Sequence, residues 1–364
     1  MDPRGTGKSA PLTCDKDLPD DLTSAAARDT LSACAETLGD RPKTITTEFN
    51  ARDLDAVRAA LGYTSIDIYA ASYGTRVAFA VLKHFPGRVR ALVLDGVTPP
   101  EVAIGVDQLV SAEQALHALW QRCAASTLCT DRYHDLKASF IHVKQALPRR
   151  VTIRDPRSGV TSDVDLTRRR YEDTVRSALY QSELVAIVPK VVDAAAHGDY
   201  SQIAALAELQ RASFSEAVSP LVYYSVACHE DVPFLPLPTK SPLPQTSLDF
   251  FDPHVAEMRQ LCALWPVAMA SHDIKTPVTS DAPALLISGE NDPVTPPSTA
   301  ELASQSLPNA RRITLAEQGH IGVFRACMPR LVADFFDQGS AKDLDITCAE
   351  SAKALPLFTG ANGP

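Results

Sequence analysis

Three residues have the types and the chain order needed for nucleophilic hydrolysis. Ser72 lies in the segment Ala70-Ala71-Ser72-Tyr73-Gly74, and Asp292 and His320 follow it much later in the chain. A serine hydroxyl is a weak nucleophile until a base takes its proton, and a histidine held by a carboxylate can act as that base. The order predicts a catalytic triad in which Ser72 attacks, His320 accepts the proton and Asp292 orients the imidazole.

The segment around Ser72 is typical of a sharp turn between a strand and a helix. Alternating apolar residues from Ile66 to Ala70 indicate the strand, and the apolar run 77–82 indicates the helix. Small residues beside the serine let the two elements approach closely, as in the pattern Gly-x-Ser-x-Gly. Ala70 replaces the first glycine, whereas Gly74 keeps the second. The alternative is a serine in an ordinary turn.

Asp292 and His320 each follow a predicted strand. The run 284–288 precedes Asp292, and the run 312–315 precedes His320. In parallel sheets, catalytic groups gather beyond the carboxyl ends of the strands, so this placement supports the triad. Each residue has an alternative: Asp292 precedes a proline and suits a turn, His320 suits a surface loop, and Glu290 and Glu317 are rival carboxylates.

The wider pattern predicts an α/β fold with a mostly parallel sheet and flanking helices. Helix and strand signals alternate over residues 1–101, which we interpret as the first part of the core, and again over 273–364, the second part. Residues 102–272 are expected to form a helical insertion that caps the sheet's carboxyl edge. The five helices predicted in the insertion span 112–123, 133–147, 171–179, 185–196 and 203–212. The predicted β-hairpin pairs 151–153 with 164–166. The final helix is predicted over 323–336.

Composition excludes some classes of partner. The 364-residue chain has a formal net charge of −9, and no Lys/Arg-rich run favours nucleic acid. We find no apolar run long enough to cross a membrane and no secretory signal at the N-terminus. A serine triad needs no cofactor, and the cysteine spacing lacks the Cys-x-x-Cys pairs of zinc sites, so we expect neither cofactor nor metal. The oligomeric state is left open.

The eight cysteines predict disulfides, because they fall into four neighbouring pairs. The predicted bonds are Cys14–Cys34, Cys123–Cys129, Cys228–Cys262 and Cys327–Cys348. Such a set indicates an oxidising compartment, which conflicts with the missing export signal. The alternative is eight reduced thiols.

The chain resembles the tripeptidyl-aminopeptidase and prolyl-iminopeptidase-like α/β-hydrolases, which are secreted bacterial exopeptidases. The segments that carry the resemblance are 2–7, 53–58 with Leu61-Gly62, 72–75, 93–96, 288–296 and Gly319-His320, together with the tail 327–348. The resemblance implies an α/β-hydrolase fold, the triad Ser72, Asp292 and His320, and a helical cap that selects substrates by their free N-terminus. It also implies that a full-length parent is secreted or periplasmic.

The resemblance further implies that this chain starts inside the core domain. The family's first strands and its His-Gly-Gly-Pro-Gly oxyanion segment lie upstream of the equivalent of Met1. Tyr73 N–H would supply one oxyanion donor, and the upstream segment would supply the second. We therefore expect the 364-residue chain alone to be weakly active and prone to aggregate.

The expected function is hydrolysis of amide bonds at peptide N-termini. The alternatives are a carboxylesterase, which uses the same triad, and a hydrolase-fold protein that is impaired in catalysis and acts by binding. In the segment Cys228-His229-Glu230-Asp231, either Glu230 or Asp231 is predicted to bind the substrate's ammonium group. The alternative for these two residues is a solvated acidic turn.

Overall fold

A computed structural model describes residues 1–14, 24–104, 106–235, 251–268, 270–360 and 363. Its central sheet has four parallel strands in the order β1-β2-β5-β6. The strands span Ile66–Ala71 (β1), Val89–Asp95 (β2), Ala284–Gly289 (β5) and Ala310–Leu315 (β6). The observed β1, β5 and β6 agree with the three strands predicted in the sequence to within two residues at each end. Because the strands are parallel, the predicted triad residues that follow β1, β5 and β6 lie at one edge of the sheet.

The sheet is buried on both faces. Leu92 and Leu94 of β2 enter one core, and Ala91 and Val93 between them enter the other. This alternation is what a strand imposes, since successive side chains point to opposite faces. Continuous apolar runs are therefore expected in the central strands of this sheet.

Helices cover both faces of the sheet. Residues of α2 (Thr47–Ala60), α3 (Tyr73–His84) and α12 (Pro297–Ser304) line one core. Residues of α13 (Met328–Gln338) and α14 (Thr347–Glu350) line the other. The α2 helix begins where Thr46 accepts a hydrogen bond from Phe49 N–H at 3.2 Å, the usual side-chain cap of a helix N-terminus.

A block of helices and one hairpin separates β2 from β5 in the chain. The antiparallel hairpin pairs Arg149–Arg154 (β3) with Thr161–Leu166 (β4), as predicted. The helices of the block are Val106–Ala124 (α4), Thr127–Tyr133 (α5), Leu136–Ala146 (α6), Arg168–Ala178 (α7), Ser182–Ala196 (α8), Ser201–Ala217 (α9), Pro220–Glu230 (α10) and Phe251–Cys262 (α11). The helices from α4 through α9 share a hydrophobic core that is separate from the two cores of the sheet. Residues 236–250 of the predicted cap lie outside the described residues.

The predicted helices differ from the observed ones in their bounds. The helix expected over 112–123 begins at Val106, and the helix expected over 203–212 ends at Ala217. The helix expected over 133–147 begins at Leu136, because His134 adopts a φ of 53° and Asp135 then caps α6 by accepting a hydrogen bond from Ala138 N–H. The last helix starts at Met328 rather than at Val323. Val323 N–H donates instead to the Asp95 carboxylate, which holds that segment outside the helix.

The four predicted disulfides are all present in the structure. They join Cys14 to Cys34, Cys123 to Cys129, Cys228 to Cys262 and Cys327 to Cys348. The first of them attaches the N-terminal segment to α1 (Ala25–Leu38), whose inner face packs on α10 and α11. None of the described helices is both long enough and apolar enough to span a membrane.

Candidate active site

Ser72 occupies a strained turn between β1 and α3. Its φ of 52° and ψ of −126° fall where side-chain-bearing residues are rarely found. Two backbone hydrogen bonds hold it there: Ser72 N–H donates to Asp95 O at 2.8 Å, and Thr75 N–H donates to Ser72 O at 2.9 Å. A serine in this conformation projects from the sharpest point of the turn, as a nucleophile-elbow serine must.

Alanine fits at the position where the elbow pattern has its first glycine. A Cβ added to Gly74 would lie 3.9 Å from the Cβ of Ala70, which is ordinary van der Waals contact. The close approach of strand and helix therefore leaves room for one methyl group. The departure at Ala70 does not disturb the turn that presents Ser72.

Asp292 and His320 are hydrogen bonded to each other. His320 Nδ1 lies 2.8 Å from Asp292 Oδ2, and both side chains are buried. An ionised carboxylate can only accept, so the imidazole proton resides on Nδ1 and Nε2 carries the lone pair. This tautomer is the one a general base needs.

The Asp292 carboxylate is held by its own neighbours. Oδ1 accepts hydrogen bonds from Val294 N–H at 2.8 Å and Thr295 N–H at 2.9 Å. Thr295 Oγ1 donates to Oδ2 at 2.8 Å and lies 3.2 Å from His320 Nδ1. These hydrogen bonds fix the orientation of the Asp292 carboxylate toward the imidazole.

The two rival carboxylates have other partners. Glu290 is exposed and accepts a hydrogen bond from Glu317 N–H at 2.8 Å. The carboxylate of Glu317 lies 3.8 Å from Arg122 on α4. Asp292, in contrast, bonds directly to the imidazole. The geometry therefore favours Asp292 as the acid of the predicted triad.

Ser72 and His320 converge on the end of β2. Ser72 is bonded to the backbone of Asp95, and the next residue, Gly96, lies under the imidazole. A Cβ added to Gly96 would be 2.8 Å from His320 Cε1 and 3.0 Å from Thr295 Oγ1. Gly96 also has a φ of 67°, so this position favours glycine both for its conformation and for the close approach.

Comparisons with known proteins concern the family and the fold of the chain. A family model described as alpha/beta hydrolase fold matches residues 1–146, and one described as TAP-like protein matches residues 248–348. Tripeptidyl aminopeptidase of Streptomyces coelicolor is 26% identical over 409 residues, which cover 98% of this chain and 70% of that relative. These matches support a TAP-like α/β-hydrolase. The chain is an enzyme of the hydrolase class.

Other similar proteins match less of the chain or match in fold alone. Serine protease Hip1 of Mycobacterium tuberculosis is 33% identical over 118 residues, 28% of this chain and 23% of that relative. The solved structure of the meta-cleavage product hydrolase CumD from Pseudomonas fluorescens IP01 has a TM-score of 0.37 and 14% identity, over 81% of this chain and 73% of that one.

In this α/β-hydrolase the helical block contacts the loop that bears His320, which we call the histidine loop (residues 317–325). His320 N–H donates to Tyr180 O at 2.9 Å, and the Tyr180 ring meets the imidazole edge-on with centroids 5.4 Å apart. Ser182 Oγ donates to Gln318 Oε1 at 2.8 Å. A Cβ on Gly319 would lie 2.6 Å from Leu179 O. The predicted cap therefore packs directly on the segment that positions the imidazole.

Tyr73, the residue after Ser72, is the first residue of α3. The first amides of a helix have no intrahelical acceptor and lie at the positive end of its dipole, so Tyr73 N–H suits an oxyanion. Its phenol lies 3.0 Å from Thr47 Oγ1 and accepts from Asn50 Nδ2 at 3.4 Å. Burial, with Glu230 nearby, raises the pKa of Tyr73, so the ring stays neutral.

Glu230 and Asp231 lie at the end of α10 and are buried, each with partners of its own. Asp231 Oδ1 accepts from Arg76 Nη1 at 2.9 Å and from Lys275 Nζ at 2.8 Å. Glu230 Oε1 accepts from Thr47 N–H at 2.6 Å. Burial lowers the pKa of Lys275, although the Asp231 charge opposes that effect. The two carboxylates therefore fasten α10 to the core, and their predicted role in binding an ammonium stays a prediction.

Sequence reasoning missed several residues of this site. In the sequence Thr295 is only part of a motif, and its bonds to Asp292 need the folded loop. Tyr180 lies far from the triad in the chain and carries no motif. Gly96 had a detectable signal, since glycine directly after a buried strand often marks a close approach at the sheet edge.

Proposed function

We propose that this hydrolase is a serine peptidase that cleaves amide bonds at peptide N-termini through an acyl-enzyme. The observation that carries the proposal is the 2.8 Å bond between His320 Nδ1 and Asp292 Oδ2, at the sheet edge where strained Ser72 emerges. The names of the similar proteins, a tripeptidyl aminopeptidase and a serine protease, support peptide substrates.

In the first half of the proposed reaction, Ser72 Oγ attacks the carbonyl carbon of the scissile amide. His320 Nε2 takes the hydroxyl proton, and Asp292 stabilises the imidazolium that forms. The Tyr73 N–H donates to the developing oxyanion. When the tetrahedral intermediate collapses, the C–N bond breaks, and the imidazolium gives its proton to the leaving amine. The downstream peptide departs, and the N-terminal fragment remains as an ester on Ser72.

In the second half a water molecule replaces the departed amine. His320 Nε2 removes a proton from the water, whose oxygen attacks the ester carbonyl. The second tetrahedral intermediate uses the same oxyanion donor. Its collapse breaks the bond to Ser72 Oγ, which recovers the proton from the imidazolium. The N-terminal fragment leaves as a free acid, and the enzyme returns to its starting state.

Recognition of a free N-terminus is the second part of the proposal. Glu230 and Asp231 are the acidic residues proposed to favour an ammonium group. Because Arg76 and Lys275 already donate to Asp231, and Thr47 donates to Glu230, an ammonium would gain from these carboxylates only by displacing one of the present donors. This role is therefore open to a direct test.

The reaction is tested with chromogenic tripeptidyl, aminoacyl and prolyl amides beside a p-nitrophenyl ester. We expect amide turnover by the wild-type chain, no turnover by Ser72→Ala, and labelling of the wild type but not the variant by a fluorophosphonate. Ester turnover without amide turnover would show an esterase instead. Absence of both turnover and labelling would show that the chain has no working triad.

The recognition is tested by comparing each tripeptidyl amide with its N-acetylated form. If the acidic residues bind the ammonium, Glu230→Gln and Asp231→Asn reduce the preference for the free N-terminus. Thr47→Val serves as a control, because it removes the hydroxyl that donates to Glu230 and leaves the charge in place. An unchanged preference in both acidic variants would leave them a structural role only.

We also propose that the enzyme acts in an oxidising compartment, secreted or periplasmic. All eight cysteines are paired, and disulfides persist where thiols are not kept reduced. Expression in a reducing and in an oxidising compartment tests this. A fully reduced protein with the same thermal stability as the oxidised one would contradict it.

A further inference from the structure

Asp95 is a buried carboxylate at the end of β2, beside the histidine loop. Its side chain accepts two backbone hydrogen bonds of 2.8 Å, from Gly322 N–H to Oδ1 and from Val323 N–H to Oδ2. Tyr69 of β1 adds a longer bond of 3.3 Å from its hydroxyl to Oδ2. The carboxylate therefore binds the chain two and three residues after His320.

The backbone of the same residue contacts the other arm of the site. Asp95 O accepts the hydrogen bond from Ser72 N–H, and the following residue, Gly96, lies against the imidazole. One residue thus fixes the turn that presents the serine and the segment that presents the histidine. A misplacement of about 1 Å between such groups can cost a hundredfold in rate, so this shared anchor bears on catalysis.

The segment that Asp95 holds is strained. Ile321, directly after His320, has a φ of 67°, which is a marked outlier for a β-branched residue. Such a conformation persists only where the surroundings over-determine it. Here His320 N–H is bonded to Tyr180 O on one side of Ile321, and Gly322 N–H is bonded to Asp95 on the other. Without the carboxylate, one of these two restraints is lost.

Burying the Asp95 carboxylate away from water is unfavourable in free energy. Loss of solvation raises the pKa of Asp95, and the hydrogen bonds from Gly322 and Val323 oppose that shift. Within the described residues, no lysine or arginine forms an ion pair with Asp95. A leucine or an asparagine would be cheaper to bury at the end of this strand. The unfavourable burial of this carboxylate is explained if its charge acts on the neighbouring His320.

We propose that Asp95 is a positioning residue for His320: its carboxylate fixes the histidine loop and its charge favours the imidazolium formed in each half-reaction. The inference rests on the proposed function, since it gives Asp95 a role in that triad. It is separate from the role of Asp292, which bonds to the ring itself.

The test compares Asp95→Asn with Tyr69→Phe in the full chain. An amide cannot accept with both of its polar atoms, so the asparagine variant loses one loop bond and the charge together. We expect its kcat to fall about tenfold to a hundredfold with KM changed less than about twofold. The Tyr69→Phe control loses only the 3.3 Å bond, and we expect it to keep kcat within about twofold.

A pH profile separates positioning from mere structural support. The titratable groups around His320 are Asp292, Asp95 and Tyr180, and Tyr69 faces Asp95 from β1. Removing the Asp95 charge destabilises the imidazolium, so the acid limb of kcat/KM moves to lower pH. A variant that loses activity only in proportion to its folded fraction, with an unmoved acid limb, would overturn the proposal.

Hydrogen exchange on the wild type tests the two bonds from the histidine loop to Asp95 even if Asp95→Asn does not fold. We expect the amides of Gly322 and Val323 to exchange as slowly as those of β2. Fast exchange at both would overturn the proposal, because the anchoring bonds would then be open in solution. Failure of the proposed function is recognised separately, because Ser72 of the wild type would then resist the fluorophosphonate while the exchange result still stands.

Discussion

The imidazole of His320 rests on Gly96, a residue 224 positions earlier in the chain. A Cβ added at Gly96 would lie 2.8 Å from His320 Cε1, closer than real Cβ atoms approach a neighbour. Two contacts therefore position the ring. Gly96 has no side chain, which allows the ring to approach its backbone closely, and the Asp292 carboxylate is hydrogen bonded to the ring. The contact with Gly96 links the end of β2 to the predicted base.

A Gly96→Ala substitution should impair catalysis more than folding. The new methyl group displaces the imidazole from its present position, and we expect kcat and the rate of fluorophosphonate labelling to fall about tenfold to a hundredfold. The positive φ of 67° adds about 1–2 kcal/mol of strain. Steady-state kinetics and urea unfolding measure the two effects.

Gly87→Ala is the matched control for that substitution. Gly87 has a φ of 80°, and a Cβ added there would meet no atom within 4 Å, so it shares the strain and lacks the contact. Both variants should lose stability through the backbone strain, and only Gly96→Ala should lose activity. Equal turnover in the two variants would show that the imidazole does not depend on Gly96.

The Asp292→Asn variant should lose nearly all turnover while keeping its fold. An amide in this place favours the wrong imidazole tautomer, and in triads of this kind the loss in kcat is about ten-thousand-fold. Glu290→Gln is the control, because that carboxylate lies two residues earlier, is exposed and bonds to Glu317 N–H. Activity lost in Glu290→Gln and kept in Asp292→Asn would reassign the acid of the triad.

The sequence predicted those parts of the fold that depend on local pattern. The runs around 66–71 and 284–289 are apolar and short, so the strands were evident. Ser72, Asp292 and His320 each follow a predicted strand, so the parallel sheet alone places them at one edge. The disulfide pairing was also predictable, since each cysteine pairs with its neighbour in the chain.

Contacts between distant segments were not predictable in this way. Asp95 reads as the end of a strand, and its bonds to Gly322 and Val323 join residues 227 and 228 positions apart. Asp231 reads as a free acid, whereas the folded chain brings Arg76 to it from 155 positions away. Such pairings follow from how the helical block and the histidine loop pack. The local hydrophobic periodicity of the sequence does not show this packing.

The disulfides should differ in their contribution to stability according to loop length. The bond Cys228–Cys262 closes a sequence separation of 34, and the bond Cys123–Cys129 a separation of 6. In the chain-entropy model these are worth about 3.8 and about 2.2 kcal/mol, because the longer loop loses more freedom in the unfolded chain. Urea unfolding of the two double Cys→Ala variants measures the difference.

Comparing two pairs cancels most of the lost packing, because each double variant removes the same two sulfur atoms. Thiol titration of the denatured variants confirms that the other three bonds remain intact. We expect the variant without Cys228–Cys262 to be the less stable by about 1.5 kcal/mol. Equal losses would show that native packing, and not loop closure, sets the contribution of these bonds.

The ion pair between Glu183 and Arg325 should make a small, pH-dependent contribution to stability. Glu183 lies in the first turn of α8, Arg325 ends the histidine loop, and Arg325 Nη2 lies 2.9 Å from Glu183 Oε2. The hydrogen bonds from Arg325 lower the pKa of Glu183 from 4.5 to about 2. Because 54% of the Glu183 side chain is exposed, solvent screens the pair, and we expect only about 0.2–1 kcal/mol.

The sign of the pH dependence follows from the lowered pKa. A carboxylate whose pKa is lower in the folded state contributes its full stability above the unfolded value of 4.5 and loses it as the pH falls toward about 2. Urea unfolding should therefore show Glu183→Gln less stable than the wild type at pH 7, with the gap narrowing below pH 4.5. Glu301→Gln is the control, since the Glu301 carboxylate is 3.7 Å from Arg312 and 65% exposed. A gap for Glu183→Gln that stays constant with pH would mean that its cause is packing of the side chain and not the charge.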